Sequence, residues 1–147
     1  MMGRNTGIAR PERAKEYFSQ PNGIGFDMPS KKVPRNCWIG TTIGVKASLN
    51  RLDILRSIPA RIRFLSCEPL LEDLGKINLE GISWVIVGGE SDPDAPRPMK
   101  SEWAWNIINQ CKACKVPVFF KQMGGKGTGG AGGNLLDGKQ IQEYPMV

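Results

Sequence analysis

Four short apolar runs, each closed off by turn-forming residues, constrain the fold of this chain more than any other feature. They are C-W-I-G-T-T (37–42), I-R-F-L-S-C (62–67), W-V-I-V-G (84–88) and V-P-V-F-F-K-Q (116–122). Continuous apolar runs of strand length suit strands covered on both faces, the signature of parallel sheets. The intervals between them are long enough for the crossovers that parallel neighbours require. Two intervals carry helical spacing. Val45, Leu49, Leu52, Leu55 and Ile58 recur at steps of three and four over 45–58. Over 101–115, Trp103, Ala104, Ile107, Ile108, Cys111 and Cys114 share one face, with Ser101 as the N-cap. Pro11 opens a shorter helix over 11–19.

Strand–helix–strand alternation predicts an α/β domain with parallel strands and crossover helices, either a partial (β/α) barrel or a small open sheet. The chain divides into an N-terminal helix and loop (1–36), an α/β core (37–123), and a Gly-rich linker with a C-terminal hairpin (124–147). In the last segment G-G-K-G-T-G-G-A-G-G lacks the phosphate-loop pattern and reads as a linker, while L-L-D-G-K-Q-I turns at Asp137-Gly138.

If the strands are parallel, their carboxyl ends share one rim, where ligand sites of such sheets lie. Gathered there are Thr41, Thr42, Cys67, Glu68, Glu90, Ser91, Lys121 and Gln122. Glu68, Glu90 and Lys121 are expected to line one cleft with Arg97 nearby, and Thr41, Thr42, Ser91, Arg97 and Gln122 are expected to contact a ligand. The same carboxylates would also serve as structural ion-pair partners of Lys121 or Arg97, since a half-buried carboxylate needs such a partner.

The charge of +6 is unevenly placed: residues 1–63 hold 12 Lys/Arg against 4 Asp/Glu, and residues 64–147 hold 8 against 10. Lys31, Lys32, Arg35, Arg61 and Arg63 could contact nucleic acid or form a solvated face. There is no histidine, so serine–histidine triads and histidine-ligated zinc within this chain are excluded. Cys111 and Cys114 have C-x-x-C spacing but fall late on the apolar arc of a predicted helix, where a thiol acts as a small hydrophobe rather than a redox or metal group. No metal site is expected. Trp105 lies opposite that arc and reads as an exposed aromatic or a contact with another chain. No apolar run spans a membrane and no signal peptide is visible, so a cytoplasmic protein is expected.

Five phrases in order, N-C-W-I-G-T-T, R-I-R-F-L-S-C-E-P-L-L, W-V-I-V-G-G-E-S-D-P-D-A-P-R-P-M, V-P-V-F-F-K-Q-M-G and L-L-D-G-K-Q-I-Q-E-Y-P, together with R-P-E-R near 10–13, cover most of the chain. They resemble the C-terminal half of a phage- and prophage-associated protein family of unknown function, the gp thirty-seven / sixty-eight type. Longer members look like (β/α) barrels whose N-terminal half carries an iron–sulfur-type cysteine cluster, which implies kinship with radical S-adenosylmethionine enzymes. That half is expected to be absent here. Cys37, Cys67, Cys111 and Cys114 do not reproduce the cluster spacing, so neither an iron–sulfur centre nor S-adenosylmethionine is expected in this chain alone. A half barrel would expose strand edges and a sheet face, which calls for self-association or a partner completing the barrel. Three functions are therefore open: ligand or nucleic-acid binding at the rim without independent activity; a residual metal-dependent hydrolase or transferase using Glu68 and Glu90; and a phage-encoded protein-interaction module.

Overall fold

A computed structural model describes residues 4–8, 11–19, 33–127 and 130–146. Its elements in chain order are β1 (Arg4–Ile8), α1 (Pro11–Ser19), β2 (Cys37–Thr42), α2 (Arg51–Arg56), β3 (Ile62–Cys67), β4 (Trp84–Gly88), β5 (Ser91–Asp92), α3 (Ser101–Ala113), β6 (Val118–Gln122), β7 (Gly125–Lys126), β8 (Leu135–Leu136) and β9 (Lys139–Gln140). The main sheet has the order β1-β2-β3-β4-β6, and every neighbouring pair is parallel. The four apolar runs are its four adjacent strands β2, β3, β4 and β6. Among the described residues the sheet stays open, with no closed barrel.

β1 goes beyond the sequence reading. Arg4-Asn5-Thr6-Gly7 has no apolar run to announce a strand, and its place comes from pairing with the already ordered β2. The 45–58 helix is shorter than its spacing predicts: a single 3-10 turn at Lys46–Ser48 precedes α2. Ser101 is the first residue of α3 rather than its cap; Lys100 holds the cap position without a side-chain bond.

Side-chain alternation sorts the sheet into two unlike faces. Ile39, Leu65, Cys67, Val85, Val87, Val118 and Phe120 point to one side, where they share a core with Leu52 and Leu55 of α2, Ile58 just beyond it, and Ala104, Ile107, Ile108 and Cys111 of α3. Leu55, Ile58, Ile107 and Ile108 are completely buried, and each contributes about 1.5–3 kcal/mol by leaving water.

The opposite face is aromatic. Trp84 sits at its centre, with ring centroids of Trp38, Phe64, Phe119 and Tyr144 between 5.6 and 6.3 Å away. The Phe64 ring lies over Gly40, where a β-carbon would fall 2.4 Å from it. None of the described helices packs on this side, and Trp38, Ile86 and Phe119 are only half-buried. The C-terminal tail crosses its lower corner: the Trp84 indole donates to the Glu143 carbonyl at 2.8 Å.

The predicted hairpin is present as β8 and β9, antiparallel, with Asp137 (φ 47°) and Gly138 (φ 77°) at the turn. Both are in the left-handed region, as a two-residue hairpin of this hand requires.

Candidate functional site

The common direction of the strands brings their carboxyl ends to one rim, and a cleft of about 340 Å3 opens there. It is lined by Glu68, Pro69, Gly89, Glu90, Ser91, Lys121 and Gln122. Glu68, Glu90 and Lys121 therefore do meet in one cleft. The Glu68 side chain passes over Gly88, within 3.4 Å of where a β-carbon would stand, and accepts a 2.7 Å hydrogen bond from the Lys121 ammonium. The pair is accessible: 48% of the Lys121 side chain and 20% of that of Glu68 remain exposed.

Glu90 is engaged differently. Its carboxylate accepts from the Arg97 backbone N–H and from Arg97 Nε, both at 2.9 Å, and also from Arg97 Nη2. The side-chain and backbone bonds from Arg97 hold the Glu90 carboxyl at about 2, well below its ordinary 4.5. Glu90 thus closes the loop that follows its own strand, and Asp92 helps by accepting from the N–H groups of Asp94 and Ala95.

Backbone packing explains the two glycines ahead of Glu90. A β-carbon on Gly89 would fall 1.9 Å from the Met123 carbonyl oxygen, and one on Gly124 would fall 2.5 Å from that of Glu90. The loops after β4 and β6 are in backbone contact, and β5 pairs with β7 in parallel. The described part of the glycine tract belongs to this rim: Gly124 N–H donates to the Ala131 carbonyl, Gly125 N–H to that of Glu90 and Gly127 N–H to that of Asp92. Gln122 locks the arrangement. Its buried amide donates to the Gly89 carbonyl (3.0 Å) and to Ser91 Oγ (2.7 Å), and it accepts from Gly130 N–H (2.7 Å).

The remaining rim residues divide. Thr41 and Thr42 are adjacent, so alternation sends them to opposite faces. Thr41 is buried on the helix side, with a hydroxyl that has no partner among the described residues. Thr42 is half-buried on the aromatic face, in register with Ser66 of β3. Ser66 was not singled out from the sequence, because its exposure follows only from the missing cover on that face. Neither threonine lines the cleft, and Arg97 reaches it only through Glu90.

The basic residues lie elsewhere. Lys31 and Lys32 fall outside the described residues. Arg35 and Arg61 are exposed and stand just before β2 and β3, at the amino end of the sheet and so opposite the rim. The strand direction thus puts them at the end of the sheet away from the cleft. Arg63 is engaged, donating from Nε and Nη2 to the Ile58 carbonyl at 3.0 and 2.6 Å. A larger open groove, about 1060 Å3, also lies at that end and is lined by Lys76, Ser83, Cys114 and Lys115 among others. It belongs to the edge away from the converging strand tips.

Cys67, Cys111 and Cys114 are free thiols. Burial, with a smaller contribution from Cys111, raises Cys67 to about 12, and burial likewise raises Cys111 to about 12. Cys114 is exposed, because α3 ends one residue before it; the C-x-x-C pair does not share the apolar arc. Among the described residues no three His, Cys, Asp or Glu side chains are grouped to hold a metal ion. Trp105, expected exposed or against another chain, is half-buried under the chain's own hairpin. No described helix is long and apolar enough to cross a membrane.

A family model described as "Protein of unknown function (DUF5131)" matches residues 8–145. No curated protein and no solved structure matches the chain.

Proposed function

The chain belongs to the DUF5131 family of proteins of unknown function, and we propose that it is a binding module which holds a small polar ligand at the carboxyl rim of its sheet. The observation carrying this reading is the accessible Glu68–Lys121 pair in a cleft whose walls are otherwise internally bonded. Glu68 and Lys121 offer one charge of each sign, and Glu90 is neutralised by Arg97. That balance suits a ligand bearing both an ammonium and an anionic group better than a polyanion.

Binding is favoured over hydrolysis or transfer by the same geometry. An acid–base carboxylate pair needs one member raised toward neutrality. Glu90 is instead pulled down to about 2 by Arg97, and Glu68 is tied to Lys121. Titration with a free amino acid and, separately, with a mononucleotide tests the reading through backbone amide shifts. Saturable shifts are expected at Gly89–Ser91 and Lys121–Gln122, lost in Lys121→Gln. Unmoved amides at about 10 mM of the amino acid, well above a Kd of about 1 mM, would sink it.

A second reading rests on Arg35 and Arg61, both exposed at the opposite edge, which support a nucleic-acid contact there. Binding should then weaken steeply with salt and be lost in the Arg35→Gln/Arg61→Gln double variant.

The aromatic face supports self-association. Parallel sheets are stable when both faces are covered, and this one has helices on only one side among the described residues. We therefore propose a homodimer through this face; a different chain completing a barrel is the other outcome of the oligomer test below. The quoted phrases support a phage-associated, barrel-derived origin, and the free thiols of Cys67, Cys111 and Cys114 support a reducing cytoplasmic setting.

A further inference from the structure

Trp105 lies off the buried stripe of α3 formed by Ala104, Ile107, Ile108 and Cys111. Its indole Nε1 donates to Asp137 Oδ2 at 2.7 Å, which ties the ring to the β8–β9 hairpin. Two ammoniums stand over that ring: Lys139 Nζ at 5.4 Å and Lys112 Nζ at 5.8 Å from its centroid. An open cleft of about 620 Å3 runs along the ring and also takes in Asn109, Gln140 and Gln142, three exposed carboxamides. The neighbouring acids are engaged. Asp137 holds the indole, and the Glu143 carboxylate accepts from the Val118 N–H at 3.1 Å.

We propose that this cleft binds single-stranded nucleic acid, with a base stacked on Trp105 and its flanking phosphates on Lys112 and Lys139. Each part answers one need of such a ligand. Stacking requires an aromatic ring held in place, and the Asp137 bond supplies that. Backbone tracking requires cations beside the ring, and the lysines are long enough to swing from the indole to a phosphate. Base edges require donors and acceptors, which the carboxamides provide without fixing a sequence. The two exposed cation–π contacts given up are each weaker than a base–aromatic stack, and the two lysines regain phosphate contacts in exchange. An acidic peptide would use the lysines but leave the ring and the carboxamides without a role.

The test uses the full chain and a labelled oligothymidylate of about twelve nucleotides, a length within ordinary single-strand site sizes, followed by fluorescence anisotropy across a salt series. Saturable binding is expected. Trp105→Ala should weaken it about tenfold or more, within the range of one lost base stack, while Trp105→Phe, which keeps a stacking face, should weaken it less. Lys112→Gln with Lys139→Gln should flatten the slope of log K against log salt by about 1.4, the share of two phosphate contacts on a single strand. Circular dichroism checks that each variant is folded. No binding at about 50 mM salt, where phosphate contacts are strong, would overturn the proposal, as would binding insensitive to Trp105→Ala. Equal displacement by an oligoglutamate peptide would overturn it too, by showing a plain cationic patch. Binding lost in Arg35→Gln/Arg61→Gln but retained in the Trp105 and lysine variants would overturn this site while leaving the opposite-edge reading standing.

Discussion

The carbonyl oxygen of Met123 stands 1.9 Å from the point where Gly89 would carry a β-carbon. Gly89 therefore marks a backbone-to-backbone contact between the loops that follow β4 and β6. The contact holds Glu90 and Ser91 on one side and Gln122 on the other in fixed relation to the cleft between them. It accounts for the order G-G-E: Gly88 gives room for Glu68 to lie across the sheet, Gly89 for the neighbouring loop, and Glu90 then closes the loop it begins.

Gly89→Ala should destabilise the protein far more than Gly88→Ala. At Gly89 the obstacle is backbone, which has no rotamer to adopt, and overpacking of this kind costs about 3 kcal/mol or more. For a chain of this size that lowers Tm by about 6 °C or more. At Gly88 the nearest atoms belong to the flexible Glu68 side chain at 3.4 Å, so a small adjustment suffices. Thermal unfolding of both variants checks this, and equal losses would show that the rim loops yield.

Glu90 should titrate near 2, and the Arg97→Gln variant should bring it back toward 4.5. Its value is depressed in the folded protein by bonds to Arg97. The stability it contributes is therefore fully present above the ordinary 4.5 and disappears as pH falls through about 2. Carboxyl chemical shifts followed through an acid titration measure the midpoint directly. A Glu90 midpoint that does not move on removing the guanidinium would mean that Arg97 is not its cause.

The aromatic face should carry a dimer in solution. Light scattering on the eluting protein is expected to give twice the chain mass, and Phe119→Glu, a charge placed on a half-buried ring beside Trp84, should give the single chain mass. A monomer at every concentration tested would remove the self-association reading. A complex forming only with a different chain would instead favour completion of a barrel by that partner.

The sequence by itself determined the four apolar strands, the helical intervals, the hairpin turn and the rim. These follow from which residues avoid water and at what spacing, and that property is local to each segment. The parallel direction was implied by the same evidence, since runs apolar on both sides need crossovers and cover. Tertiary structure alone decided the partners. Lys121 bonds to Glu68 across 53 positions and Trp105 to Asp137 across 32; nothing in either local stretch selects among the carboxylates available. β1 was invisible because a polar edge strand takes its order from its neighbour rather than from its own hydrophobicity. Thr41 and Thr42, adjacent in the chain, were separated by strand alternation. Arg35 and Arg61 were carried to the far edge by the shared direction of the strands. Burial is encoded one residue at a time, whereas pairing depends on where the whole chain brings two residues, and the site is made of pairs.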